Sequence, residues 1–205
     1  SFLFARTQND TQGFNDFLTS RIQNALLNCP TGSFAGCQFY NVWRPGGVTP
    51  AAANALAGVS FNKTDTEMRV FNAYATGDAG FAFPTASDNI WAVLGVESRY
   101  ESYAFVADSN SASGNFAGAG AAAPPIDGFT KVSELFAEAA IPLFAGDGLF
   151  KSLDADIGYR YSDYERSGGA STYKIGLTGE IGMVRPRFSY NRAIRAPGIN
   201  DLFAQ

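Results

Sequence analysis

The sequence predicts an all-β, antiparallel fold, and within it a partial membrane-spanning β-barrel of about six or seven strands with long extracellular loops. Three observations carry this. Residues alternate apolar and polar with period two over successive segments, which places one set on each face of a strand. Hydrophobic residues make up 46% and aromatics 14% of the 205 residues, with 18 Phe and 9 Tyr, yet mean hydropathy is only -0.07, so apolar and polar residues must be interleaved. No stretch offers the roughly 20 consecutive apolar residues of a membrane helix, so a membrane crossing would use strands of about 9 to 11 alternating residues.

Phe2 to Arg6 reads as the tail of a first strand. Residues 10–62 read as one long structured extracellular loop. In it Phe14, Phe17, Leu18, Ile22 and Leu26 fall at helical spacing, and Thr49-Pro50 before Ala51–Gly58 supplies an N-cap, an N1 proline and a C-terminal glycine. Cys29 and Cys37 lie close together in a segment with Pro and Gly. In an oxidising compartment they would close a small loop as a disulfide; in a reducing one they would be two buried thiols. With no His in the chain, a structural zinc is close to excluded.

Thr64 to Thr76 is a less regular strand with Met68, Val70 and Tyr74 on one face. In the next, Ile90, Ala92, Leu94, Val96 and Tyr100 oppose Trp91, Val93, Glu97, Arg99 and Glu101. Residues 107–130, rich in Gly, Ala, Ser and Pro, read as a second extracellular loop, and Gly118-Ala119-Gly120 lacks the third Gly and capped helix of a dinucleotide site. Leu135, Ala137, Ala139, Ile141 and Leu143 then oppose Glu134, Phe136 and Glu138, with Pro142 expected to end the pairing.

The clearest alternation follows. Leu153, Ala155, Ile157, Tyr159 and Tyr161 share a face opposite Asp154, Asp156, Gly158, Arg160 and Ser162. Tyr173, Ile175, Leu177 and Ile181 oppose Lys174, Gly176, Thr178 and Glu180, and Val184, Phe188 and Tyr190 oppose Arg185, Arg187, Ser189 and Asn191. A soluble sandwich alternates in the same way. Turn spacing favours the barrel: the link Ile181 to Val184 is very short, that from Phe144 to Phe150 modest and others long, the outer-membrane asymmetry.

The last strand runs into Arg192-Ala193-Ile194-Arg195-Ala196-Pro197-Gly198-Ile199-Asn200-Asp201-Leu202-Phe203. This resembles a signature of TonB-dependent outer-membrane receptors, in which a strand of alternate Arg and aromatic residues leads into Arg-Ala-Pro-x-Ile-x-Asp/Glu-Leu-Phe; the matching positions are Arg195, Ala196, Pro197, Ile199, Asp201, Leu202 and Phe203. Val132–Glu138 with Ile141-Pro142-Leu143, then Tyr159–Tyr164 and Thr172–Leu177, match the family's barrel middle in order and spacing. The resemblance covers Lys63 to Phe203, and the first 62 residues loosely. Pro186 departs from it, because the family usually has an aromatic or aliphatic residue there, and a bulge or local unpairing is expected at that point.

The resemblance implies a barrel segment lacking the plug domain and the closing strands, working in uptake of a siderophore chelate, cobalamin or an oligosaccharide in the outer membrane of a Gram-negative bacterium. Its implied partners are the TonB complex through the plug, outer-membrane lipid and a small nutrient. The charged row Glu97, Arg99, Glu134, Glu138, Asp154, Asp156, Arg160, Lys174, Glu180, Arg185 and Arg187 would face the lumen or plug. For any one of these residues, the plainer role is to keep a water-filled wall hydrated. Tyr159, Tyr161, Tyr164, Tyr173, Phe188 and Tyr190 would form interfacial girdles. Asn62-Lys63-Thr64 matches a glycosylation sequon, which a bacterial outer-membrane setting makes meaningless.

A net charge of -4 argues against nucleic acid, whose phosphates want a basic face. Without His no Ser-His-Asp or Cys-His arrangement can be assembled, and the pairs Asp154/Asp156 and Glu97/Glu101 read as a wet strand face rather than a glycosidase dyad. No enzyme activity and no cofactor are expected. The start at Ser1 without a signal peptide reads as a segment of a longer frame. A barrel without a plug, as in a porin or adhesin, and a secreted all-β carbohydrate-binding or hydrolytic domain are the competing readings.

Overall fold

The structure is a computed structural model that describes residues 1–35, 37–118 and 121–203. Among them a single seven-stranded sheet follows chain order, with β1 Phe2–Phe17, β2 Ala57–Asp78, β3 Trp91–Ala107, β4 Ile126–Ala145, β5 Phe150–Tyr164, β6 Gly168–Ile181 and β7 Arg187–Arg192. β1 and β7 are its edges, so the sheet is not closed among the described residues. The pairs β4–β5, β5–β6 and β6–β7 are antiparallel.

β2, β3 and β4 run for 22, 17 and 20 residues, well past the about 9 to 11 that cross a bilayer. This length corrects both loop boundaries. Residues 10–17 lie on β1 and 57–62 on β2, so the connection is 18–56; residue 107 ends β3 and 126–130 begin β4, so the second connection is 108–125. Where a strand stands in water on both sides nothing enforces alternation, and the polar run Asn9–Asp16 carries no period-two signal although its backbone is paired. Phe14 and Phe17 are therefore strand residues, and the helix α1 starts only at Thr19, running Thr19–Asn28.

Pro142 does not end β4. It opposes Asp154, the register shifts between Pro142 and Phe144, and pairing resumes to Ala145; the missing N–H is absorbed as an irregularity in the ladder. Pro186 precedes β7, which starts at Arg187 rather than at Val184, and its carbonyl accepts from the Gly179 N–H at 3.0 Å. Val184 instead closes a tight turn: Ile181 and Val184 exchange two backbone bonds of 2.9 Å, and Gly182 stands at φ +58. Positive φ at the first of two central residues is the hairpin form that glycine permits.

The residues group into two compact units. One comprises Ser1–Ala5, Glu67–Ser102 and Phe129–Leu202 and holds most of the paired wall. In it Ile90, Val132, Glu134 and Ser162 are buried.

The other comprises Arg6–Thr66, Tyr103–Gly128 and Phe203 and has a small apolar core of Leu18, Ala25, Cys29, Cys37, Ala52, Leu56 and Phe116. The helix α2 spans Pro50–Leu56; the Thr49 hydroxyl accepts from the Ala52 N–H at 3.2 Å, and Pro50 fills N1, where its missing donor does no harm. Gly58 does not cap that helix, which closes on an extended Ala57. A β-carbon on Gly58 would stand 2.9 Å from the Phe116 ring and 3.0 Å from Leu18, so its use is close packing. A disulfide joins Cys29 to Cys37 across a sequence separation of 8. The short helix α3, Ser109–Ala112, is capped by Asp108.

Candidate functional site

Register fixes the two faces of the wall. Across β4, β5 and β6, Glu134 opposes Ser162 and Ser162 opposes Ala170; Phe136 opposes Arg160 and Arg160 opposes Thr172; Glu138 opposes Gly158 and Gly158 opposes Lys174. Lys174 then opposes Asn191 on β7. The alternate positions stack as Ala137, Tyr159, Tyr173 and Arg192, then Ala139, Ile157, Ile175 and Tyr190, then Ile141, Ala155, Leu177 and Phe188. One face carries most of the charge and the other is mainly apolar, Arg192 excepted, although its side chains are open to the surroundings: Ile157 is 42% and Phe188 62% exposed.

On the polar face Glu134 is the most enclosed charge, with a side chain 5% exposed. Its carboxylate accepts from Arg160 Nη1 at 2.9 Å and from Ser162 Oγ at 2.5 Å. Arg160 also lies over the Phe136 ring, 4.9 Å from its centroid. That ring occupies the place a side chain on Gly95 would need, since a β-carbon there would fall 2.3 Å from Phe136 Cζ and 2.8 Å from Tyr74 Cβ. Gly95, Phe136, Ser162 and Tyr74 were not among the sequence-derived site residues. The available signal was a lone aromatic, Phe136, in phase with Glu134 and Glu138.

The other charged positions pair more loosely. Lys174 Nζ donates to Glu138 at 2.9 Å, Lys151 to Glu180 at 3.2 Å, and Asn72 Nδ2 to Glu97 at 3.1 Å. Arg99 lies 3.5 Å from Glu101 and Arg185 3.9 Å from Glu180. Asp154 and Asp156, opposite Pro142 and Ala140, and Arg187, opposite Thr178, have no side-chain hydrogen bond or ion pair among the described residues. Across this wall the charges mix both signs, with no acid–base dyad set apart, and among the described residues no group of three or more His, Cys, Asp or Glu is placed to hold a metal ion.

After β7 the chain crosses the polar face. Ala193 and Ile194 border a cavity of about 290 Å³ with Phe136, Arg160 and Lys174. Ala196, Pro197, Gly198 and Leu202 border another of about 260 Å³ with Val132 and Tyr164. Asp201 organises this segment: it accepts from the Gly198 N–H at 2.9 Å and from Arg195 Nη2 at 3.2 Å, while Ile199–Phe203 forms the short helix α4.

On the apolar face the Tyr159 hydroxyl meets Ser171 Oγ at 2.8 Å, and the Tyr173 and Tyr190 rings stand 6.0 Å apart. Farther along, Arg69 lies over the rings of Phe4 and Tyr100, Tyr100 stacks on Phe129 at 5.7 Å, and Arg166 covers Phe129 at 5.0 Å. Among the described residues no helix is long and apolar enough to cross a membrane.

An open antiparallel wall with one charged and one exposed apolar face is what a section of outer-membrane barrel presents, and residues 3–205 match the family described as TonB dependent receptor-like, beta-barrel. The chain belongs to that family. Comparison with curated proteins and with solved structures gives no match. Membership implies an outer-membrane receptor and transporter that works with TonB on a nutrient ligand.

Proposed function

We propose that this receptor segment serves TonB-dependent active uptake of a scarce nutrient, a siderophore-iron chelate, cobalamin or an oligosaccharide, in a Gram-negative bacterium. The observation that carries the reading is the lumenal wall of mixed charge, in which Glu134 is enclosed and hydrogen-bonded while Asp154, Asp156 and Arg187 keep unspent bonding capacity. A water-filled pore needs hydration alone, whereas a plug docks by hydrogen bonds and ion pairs, and groups of both signs suit a polar protein surface that must hold and then release. The plug in turn carries the TonB box. Residues 18–56 and 108–125 form the extracellular loops, the first braced by the Cys29–Cys37 disulfide in an oxidising compartment. The chain acts as a transporter, without catalytic residues of its own.

The test is uptake by whole cells that express the full-length receptor, with and without TonB and with the Asp154→Ala, Asp156→Ala, Arg187→Ala triple variant. Growth on a limiting nutrient should depend on TonB, and the triple variant should reach the outer membrane folded but transport more slowly or leak small solutes. Uptake that continues unchanged without TonB would refute the reading.

A further inference from the structure

We propose that the pocket between the end of β1, the start of β2 and the 108–125 connection binds a neutral polyhydroxylated ligand, gripping a vicinal diol of a saccharide. The proposal rests on the receptor reading and names the ligand chemistry of its extracellular side. The pocket has a volume of about 160 Å³ and is lined by Asp16, Ser60, Asn62, Ser111 and Phe116 among others. Sites that enclose a whole drug-sized molecule measure about 300 to 1,000 Å³, so this one takes one ring or one diol of a longer chain.

Two features show that the site is built. Gly13 and Asp16 are three residues apart on β1, which in a regular strand puts their side-chain directions on opposite faces. Between them Asn15 adopts φ +67, a left-handed conformation that Asn tolerates better than most residues. The strand turns there, and a carboxylate oxygen of Asp16 comes within 3.4 Å of where a β-carbon on Gly13 would stand, with Ser60 Oγ 2.5 Å from the same point. The hydroxyl and the carboxylate thus converge in the place that a Gly13 side chain would otherwise take. Backbone held in a sparsely populated region in order to aim a side chain is a mark of functional sites.

The second feature is independent of the first. Asn62 Oδ1 is buried and has no hydrogen-bond partner among the described residues. A buried unpaired acceptor is unfavourable until a donor arrives. The pocket therefore presents a carboxylate and an amide oxygen that both want donors, a hydroxyl that can do either, and the apolar wall of Phe116. Adjacent hydroxyls of a sugar supply donors, and its C–H face packs on the ring. A bound Ca²⁺ would want about 6 to 8 oxygens, more than this set offers.

The experiment uses the purified full-length receptor in detergent, screened on an array of neutral and acidic oligosaccharides, followed by calorimetric titration of the best-bound probe. A neutral oligosaccharide should bind, Asp16→Ala should weaken it at least tenfold, and Asp16→Asn should weaken it less because the amide oxygen still accepts. Asn62→Ala should also weaken binding, while leaving thermal stability unchanged or raised, since it removes an unpaired acceptor; a purely structural Asn62 would lower stability and leave affinity alone. Binding of only acidic probes, of Ca²⁺ alone, or of nothing overturns the proposal, as does a neutral probe whose affinity is the same in all variants. The assay needs neither TonB nor a membrane, so its failure is separate from failure of the transport reading, which whole-cell uptake reports.

Discussion

The substitution Ile157→Lys tests which medium touches the apolar face. Ile157 opposes Ala139 on β4 and Ile175 on β6 and is itself 42% exposed. The apolar run on β5 from Leu153 to Tyr161 covers ~26 Å of strand at about 3.3 Å per residue. With a tilt of about 40° this becomes ~20 Å along the membrane normal. Ile157 is its midpoint, so a lysine there sits as deep as a charge can and should destabilise by about 2–4 kcal/mol. At about 1.4 kcal/mol per tenfold, the folded-to-unfolded ratio falls by ~30- to ~700-fold. The neighbouring Asp156→Lys is the control: Asp156 is on the charged face between Ala140 and Gly176, where the barrel reading keeps a cation in water. The assay is urea unfolding of the full-length receptor refolded into phospholipid vesicles, followed by the change in gel mobility on heating. If both lysine variants unfold at the same urea concentration, the two-face reading fails. If Ile157→Lys instead unfolds a protein that is soluble without lipid or detergent, the apolar face covers a core and the barrel assignment falls.

Four further outcomes are expected. Glu134→Ala removes the acceptor of Arg160 and Ser162 and should destabilise by roughly 2–3 kcal/mol, because a charged hydrogen-bonded pair is broken from one side; Glu134→Gln, which still accepts, should lose less in the same urea assay. Gly95→Ala places a β-carbon 2.3 Å from Phe136 and should cost about 1–3 kcal/mol through overpacking, and Gly95→Ala combined with Phe136→Leu should recover part of it. Burial pushes the Asp108 carboxyl up, but the Ser111 hydroxyl and the backbone N–H groups of Phe61, Ser111 and Asn110 outweigh it and hold the pKa down at about 2. A lowered folded pKa means the contribution is complete above the unfolded value near 4 and is lost as pH falls through 2, so hydrogen exchange at Phe61 and Asn110 should accelerate across that window, and Asp108→Asn should flatten the response. Thr49→Ala deletes the cap of α2 and should cost about 1 kcal/mol, read as faster exchange at Ala52 with the sheet unaffected.

Alternation carried the wall. On β5 and β6 each expected face is the observed one, because a strand between lipid and water must separate apolar from polar residues every second position. The signal fails where that constraint ends. Asn9–Phe17 continues β1 without alternating, and so it read as part of a loop. The Thr49-Pro50 start of α2 was legible because capping is local chemistry between neighbours. The end of that helix was not: Gly58 looks like a C-cap, yet Phe116 and Leu18 decide its use, and they are distant in sequence.

The candidate site divides in the same way. The charged phase of each strand is written in the sequence, and with it the common face of Glu134, Glu138, Arg160 and Lys174. It does not say which of them meet. That Glu134 takes Arg160 and Ser162 while Glu138 takes Lys174 depends on register, a long-range quantity, and on Gly95 making room for Phe136. Asp154, Asp156 and Arg187 look no different in sequence from their paired neighbours.

By itself, then, the sequence determined the strand class, the family and the two faces of the wall, because side-chain alternation and the Arg195–Phe203 signature are written in consecutive residues. Only the tertiary structure decided the pairing of the charges, the folding of residues 193–202 over the polar face, and the convergence of Asp16, Ser60 and Asn62 on one pocket. Those depend on contacts between residues far apart in the chain, which burial and hydrogen bonding select together once the strands are in register.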